Sequence, residues 1–124
     1  TNRIAPPNQR RNSCLLHYTR PWMAWEMAHH GYHLQALLYT VALHRMLRQR
    51  LPNYTYDTHV GGHLYLFLRG MMGPDTPRDG GLALGVFFDR WPASVVLALD
   101  AALSGMPTDE VRAIVDANAE GGAR

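Results

Sequence analysis

One long stretch without glycine or proline, YHLQALLYTVALHRMLRQR at residues 32–50, constrains the fold of this chain most strongly. Nearly every residue in it is a good helix former or is tolerated within a helix, so the stretch predicts one long helix. The helix is expected to end at about Leu51, because Pro52 and Asn53 follow and the residue before a proline is disfavoured in helical geometry.

The polar residues of this helix predict its two faces. At about 100° per residue, Thr40, His44 and Arg48 fall in one line, which we interpret as the solvent-exposed face. Gln35 and Tyr39 fall on the opposite side, so we expect both to be buried. The apolar residues around them are Leu34, Leu38, Ala42 and Met46. Since buried polar groups are nearly always hydrogen-bonded, spacing alone favours a polar pair that braces the helix against a sheet.

The chain before the long helix predicts a loop followed by a short helix. Residues 1–18 contain a proline pair, Asn, Ser and several Arg without a sustained period, which is typical of a loop. Thr19 is a suitable N-cap, Pro21 falls in the first turn, and Gly31 is expected to break the helix. The predicted helical part therefore spans residues 19–51.

The chain after the long helix predicts strands and then helices. HLYLFL at residues 63–68 is apolar on both faces, which indicates a central strand, and residues 82–90 predict a second strand after a loop. The strands thus fall within residues 61–90. Two helices are expected within residues 92–118. The predicted class is α/β with an incomplete sheet, because two strands alone make a poor sheet.

Composition indicates the cellular compartment of this domain and the kind of ligand it favours. The chain has 124 residues, 47% of them hydrophobic, and a formal charge of +2. Its positive charge comes from arginine, which favours planar, bidentate contacts with phosphate or carboxylate. The single cysteine, Cys14, excludes an internal disulfide and fits a reducing compartment. No segment is long and apolar enough for a signal peptide or membrane span, so we expect a cytoplasmic protein without membrane contact.

Several site classes find little support in the sequence. It contains no P-loop, no G-x-S-x-G run and no dinucleotide fingerprint. A zinc site at His29, His30 and His33 is not expected, because Gly31 disturbs their helical spacing. Trp22 and Trp25 could stack on bases, although anchoring in a core or interface is the favoured interpretation.

Residues 32–71 carry two motifs that resemble a known family. Gln35 and Tyr39 match a Q-x-x-x-Y motif, and a G-G-x-x-Y-L-F-L-R-G signature follows. That signature is matched by Gly61, Gly62, Tyr65, Leu66, Phe67, Leu68, Arg69 and Gly70. Both motifs resemble the C-terminal nuclease domain of the beta subunit of exodeoxyribonuclease V, a RecB-like family within the PD-(D/E)xK nucleases. The similarity continues through GVFFDRWP and LSGM, so residues 1–124 are predicted to be a partial, restriction-endonuclease-like nuclease domain.

The resemblance implies a function for the parent subunit. Its family unwinds DNA with ATP and hydrolyses phosphodiester bonds with Mg²⁺ in double-strand-break repair and recombination, within a helicase–nuclease complex of the RecBCD type. Its partners are therefore DNA and the other subunits. Gln35 and Tyr39 are expected to support the active site, and Thr1, Asn2, Arg3 and Arg69 are candidate DNA contacts. For Arg69, capping of a carboxylate is an equally favoured alternative to a phosphate contact.

The same resemblance implies that the isolated chain is inactive. In the family an Asp-Tyr-Lys run lies on the catalytic strand and is followed by Ser or Thr and then Asn, whereas this chain starts at Thr1 and Asn2. The catalytic Asp and Lys are therefore missing. Because these nucleases hold Mg²⁺ on carboxylates, no complete catalytic set and no bound metal are expected here.

A second hypothesis treats the chain as a non-catalytic structural or docking module. Trp22, Met23 and Trp25 would then be exposed and would contact another subunit or a second copy of the chain. An open sheet edge beside apolar surface would favour a homodimer.

Overall fold

The computed structural model describes Ile4 and residues 14–121, which form helices and short strands. The helices of this part are α1 (Arg20–His29), α2 (Tyr32–Arg50), α3 (Tyr56–His59), α4 (Ala93–Leu103) and α5 (Thr108–Gly121). The strands are β1 (His63–Leu66), β2 (Arg78–Asp79), β3 (Leu82–Ala83) and β4 (Val86–Asp89). Short 3₁₀ turns lie at Leu15–Tyr18, Leu68–Gly70 and Gly73–Asp75.

The chain divides into two compact units. Unit 1 consists of the described residues up to His33 together with His63–Asp89, and unit 2 consists of Leu34–Gly62 together with the described residues from Arg90 onward. Both units mix helix with irregular structure. The strands lie in unit 1, where β1 pairs with β4 and β2 pairs with β3, each pair antiparallel.

The core of unit 1 lies on one side of the β1–β4 pair. Its buried side chains are Ile4, Tyr18, Met23, Met27, Phe67, Leu84 and Phe87. In β1 the burial alternates, so Leu64 and Leu66 on the other face are exposed by 61% and 49%. The prediction of a strand buried on both faces is therefore wrong within the described part. Residues of α1 cover one face of this sheet, and the second apolar face is left to solvent.

Two glycines allow close backbone approach around this core. Gly85 has a φ of +83°, and it divides the predicted second strand into β3 and β4. Its carbonyl accepts a hydrogen bond from the Phe67 amide at 2.7 Å, and its own amide donates to the Tyr18 carbonyl at 3.1 Å. At Gly70 a Cβ atom would lie 2.6 Å from the Cβ of Tyr18, so no larger residue fits there without a shift.

The core of unit 2 forms between helices and the α3 segment. Its buried side chains are Val41, Tyr56, Val60 and Val96. The single turn α3 was not predicted, and Arg90 explains its stability. The Arg90 guanidinium donates to the Val60 carbonyl and to Asp57, and it lies 4.9 Å from the Tyr56 ring centre. Tyr56 in turn donates from its hydroxyl to the Trp91 carbonyl at 2.8 Å.

The helix bounds agree closely with those predicted from the sequence. Thr19 is the N-cap of α1, and α2 ends one residue before the predicted limit. Gly31 separates the two helices with a φ of +68°. α4 follows Pro92, and α5 extends to Gly121, beyond its predicted end.

The predicted loop at residues 1–18 is only partly covered by the description. Residues 1–3 and 5–13 lie outside the described residues, whereas Leu15–Tyr18 forms a 3₁₀ turn with Tyr18 buried. Across the described part, no helix is both long and apolar enough to cross a membrane.

Candidate functional site

The long helix α2 presents the opposite face to solvent from the one that its sequence predicted. Thr40 and His44 are buried, with 8% and 3% of their surfaces exposed, whereas Arg48 is exposed as predicted. Gln35 and Tyr39 are exposed, Tyr39 by 69%. The expected burial of Gln35 and Tyr39 is therefore wrong. The large apolar residues that are exposed along α2 are Leu34, Leu38, Leu43 and Met46.

A buried carboxylate on α4 explains this orientation. Asp100 is 5% exposed and accepts hydrogen bonds from Nε of Arg45 and from Nη1 of Arg48, the latter at 2.7 Å. Arg45 also donates from Nη2 to the Asp100 carbonyl and to Oγ of Ser104, both at 3.0 Å. Because an unpaired buried charge is strongly unfavourable, α2 turns its arginine side towards α4.

His44 completes this buried polar network. Its Nδ1 lies 3.0 Å from the Tyr54 hydroxyl, and its Nε2 lies 3.8 Å from Oδ2 of Asp100. Burial lowers the pKa of His44; the Asp100 charge opposes this change, while Arg48 and Arg45 add to it. Burial alone would raise the pKa of Asp100, but hydrogen bonds and charge from Arg45 and Arg48 hold it below its usual value. The network therefore combines a neutral imidazole with an ionised carboxylate.

These pKa shifts predict two losses of stability on acidification. The unfolded chain takes up a proton at His44 below its ordinary pKa of 6.5, before the folded chain does, so the free energy of unfolding should fall as pH drops below that value. His63, whose pKa is also lowered mainly by burial, should act in the same range. A second fall should begin below 3.8, where Asp100 is protonated first in the unfolded chain.

Urea denaturation between pH 3 and pH 8 would measure both losses. The His44→Gln, His63→Gln double variant is the matched test, because it removes the two shifted imidazoles and leaves Asp100 in place. Its free energy of unfolding should vary little between pH 5 and pH 7. It should still decrease once the pH drops below 3.8. An unchanged slope between pH 5 and pH 7 in this variant would refute the assignment.

The structure brings some of the predicted site residues together. Gln35 and Tyr39 lie one turn apart on the exposed face of α2, in unit 2. Arg69 lies in unit 1, exposed in the turn that follows β1. Thr1, Asn2 and Arg3 lie outside the described residues, so their predicted DNA contacts stay predictions.

Side chains that could bind a metal ion are not grouped in the described part of the chain. There, no three His, Cys, Asp or Glu side chains are grouped so that they could bind one. The described residues therefore bring together no ligand set for the Mg²⁺ that the resemblance implies for the parent subunit.

The sequence interpretation missed the network around Asp100. One signal was present, because Asp100 is the single charged residue in the otherwise apolar α4 sequence ASVVLALDAAL. A lone acid in an apolar helix indicates a buried charge that needs a cationic partner. Arg45 and Arg48, three positions apart on α2, meet that requirement.

Comparison of the sequence with known proteins identifies a class of relatives. No known family profile matches the chain. Several curated sequences do, and each is named as a subunit of the RecBCD enzyme. One from Mycolicibacterium smegmatis is 52% identical over 82 residues, or 66% of this chain. Relatives from Escherichia coli and Haemophilus influenzae are 41% and 42% identical over 75% and 71% of the chain.

These relatives belong to the class of RecBCD enzyme subunits, and all three carry the name RecB. The chain is a RecB-like region. It spans only 7–8% of the length of these three relatives. The activities of the whole subunit therefore belong to the proposal that follows.

Proposed function

We propose that this chain is part of the nuclease domain of a RecB-like beta subunit of exodeoxyribonuclease V. The parent would unwind DNA with ATP and hydrolyse its phosphodiester bonds with Mg²⁺ during double-strand-break repair and recombination, together with the other subunits of its complex. One observation carries the proposal. In a RecB-like region, Gln35 and Tyr39 are displayed side by side on the exposed face of a long helix.

The exposure of these two side chains changes the role we assign to them. A buried pair would brace the helix within its own unit, whereas an exposed amide and phenol can donate to and accept from a second surface. We assign them to the DNA backbone or to a catalytic strand of the parent. The Asp100 network holds the opposite side of α2, so both groups sit on a supported element, as a positioning role requires.

In this proposal the Mg²⁺ ion is bound by other parts of the parent subunit. Since the described residues provide no fitting metal site, the ligands of a PD-(D/E)xK centre are assigned to other parts of the parent subunit. When bound there, the metal would activate water and stabilise charge on the phosphate. Arg69, exposed after β1, is retained as a candidate phosphate contact, because a guanidinium binds phosphate in a bidentate manner.

Substitution of the motif in the parent complex tests this assignment. Gln35→Ala and Tyr39→Phe should each reduce DNA cleavage by roughly ten- to a hundredfold, which is the cost of mispositioned reacting groups. ATP-driven unwinding should stay within about twofold, because the helicase motor is not part of the motif helix. Gln49→Ala, at another exposed glutamine of α2, is the matched control. If unwinding fell in parallel with cleavage, the positioning role would be wrong.

A non-catalytic docking role is the second candidate, and the open face of the β1–β4 sheet favours it. Leu64 and Phe88 are cross-strand partners on this face and are 61% and 40% exposed. Exposed Trp22 and Trp25 fit this role, but Met23 does not, because it is buried in the core. Self-association of two copies through such a face stays a prediction. A catalytic Asp-x-Lys strand encoded directly upstream would favour the nuclease assignment instead.

A further inference from the structure

A continuous row of aromatic rings runs through unit 1, and we call it the aromatic strip. Each ring centre lies 4.8–6.5 Å from the next. In order, its members are His17, Trp22, Trp25, His29, His30, Tyr32 and Tyr65. Trp25 and His29 are stacked at 4.8 Å with their planes 9° apart, and Tyr32 stacks on Tyr65.

Packing of the core accounts for Tyr32 and Tyr65, which lie partly buried against it, but not for the exposed tryptophans of this strip. α1 buries Met23, Glu26 and Met27, which satisfies its core-facing side. The two indoles nevertheless remain 37% and 44% exposed at Trp22 and Trp25. Large adjoining apolar surfaces of this kind mark interaction sites in soluble proteins.

The charges along α1 are compatible with a polyanion. Glu26 is the one acidic residue of α1, and it is 5% exposed and paired with Nε2 of His30 at 2.9 Å. Arg20 opens the helix as an exposed cation; its Nη1 donates to the Phe88 carbonyl at 2.7 Å, and its backbone amide donates to the exposed carboxylate of Asp79 at 3.3 Å. The exposed His29 ring adds an N–H donor. The strip therefore combines aromatic faces with an N–H donor and one neighbouring cation, and α1 itself contributes no exposed carboxylate.

We propose that the aromatic strip binds single-stranded nucleic acid by stacking unpaired bases on its rings, with Trp22 and Trp25 as the principal stacking residues. Aromatic side chains bind single strands without sequence preference because every base has a π-face. A duplex keeps its bases stacked on one another and does not offer those faces. The choice of DNA as ligand rests on the proposed function, and the strip adds a binding site separate from Gln35 and Tyr39.

The three tryptophans of the chain allow a direct measurement. Trp91 lies in unit 2, and Trp91→Phe keeps the carbonyl that accepts from Tyr56, so this variant reports fluorescence from the strip alone. Titration with an oligo-dT of about 16 nucleotides should quench that fluorescence. In the chain that keeps Trp91, binding is measured by oligonucleotide anisotropy. There the double substitution Trp22→Leu, Trp25→Leu should weaken binding by about tenfold or more, since stacking contributes about 1–3 kcal/mol per base.

Leucine and phenylalanine substitutions separate stacking from other contacts. Leucine keeps an apolar surface, whereas Trp25→Phe keeps a ring and should retain most of the affinity. Unchanged far-UV circular dichroism of the double leucine variant would show that its loss of affinity is not misfolding. Binding unchanged within about twofold by the double leucine substitution would overturn the proposal. So would equal affinity for a duplex, or an absence of binding to oligo-dT. Because this readout is equilibrium binding, its failure is distinct from a failure of the cleavage assay on Gln35 and Tyr39.

Discussion

Linear DNA incubated with this 124-residue chain and Mg²⁺ is expected to remain uncut. The chemistry proposed for the parent would need carboxylates to hold the metal and a catalytic lysine. The sequence contains no lysine, and its described residues form no group of three metal-binding side chains. Single-stranded and duplex substrates should both persist, with or without Mg²⁺, on denaturing gels. A parent subunit that includes the Asp-x-Lys strand should degrade the same substrates under the same conditions.

A contaminating nuclease must be separated from activity of the chain itself in this experiment. Cleavage that needs Mg²⁺ and disappears when one of the chain's own carboxylates is changed, such as Asp89→Asn or Asp109→Asn, would refute the prediction. Cleavage that survives every such change would indicate contamination. Inactivity of the chain alone is compatible with both the nuclease role and the docking role. A catalytic strand encoded upstream distinguishes the two.

Replacement of Asp100 by asparagine should destabilise the protein more than any other single change considered. The substitution keeps the size of the side chain but removes the negative charge from beside Arg45, Arg48 and the buried His44. Removal of one partner from a fully buried ion pair costs about 3–5 kcal/mol. The side chains of Arg45 and Arg48 are 38% and 54% exposed, so they can regain water, and we expect a loss of about 2–3 kcal/mol in the free energy of unfolding.

Asp116→Asn is the matched control, since this acid lies exposed on α5. Its effect should stay within about 0.5 kcal/mol, as for most surface substitutions. Urea denaturation at pH 7 measures both variants. Similar losses for Asp100→Asn and Asp116→Asn would show that the network around Asp100 contributes little to stability.

The bounds of the helices could be predicted from local sequence, but the orientation of α2 could not. Proline, glycine and capping residues act within a few positions, so α1, α2 and α4 begin and end close to where the sequence indicates. The buried side of α2 depends on Asp100, which lies 55 residues beyond Arg45. A helical wheel counts Thr40 and His44 as solvent-exposed residues, because it contains no information about a distant carboxylate.

The strands and the candidate site could likewise be predicted only in part from local sequence. The apolar sequence of β1 predicts a strand correctly, but it does not reveal that one face lacks a cover among the described residues. Gln35 and Tyr39 were identified through the motif resemblance, and their exposure comes from tertiary structure. The tryptophans of the aromatic strip were visible in the sequence. Their continuity with Tyr65 was not, because Tyr65 joins the strip from a separate segment.

The two glycines packed around Tyr18 and Phe67 have a consequence for how this region can diverge among related genes. At position 70 any side chain meets the Tyr18 ring, and at position 85 a Cβ atom would lie 2.7 Å from the Phe67 carbonyl oxygen. At neither position can glycine be replaced even by a slightly larger residue without a shift of its neighbours. Drift there requires a simultaneous change in the aromatic neighbour or in the backbone. Gly70 and Gly85 should therefore outlast most of the surrounding surface as landmarks by which distant relatives can be aligned.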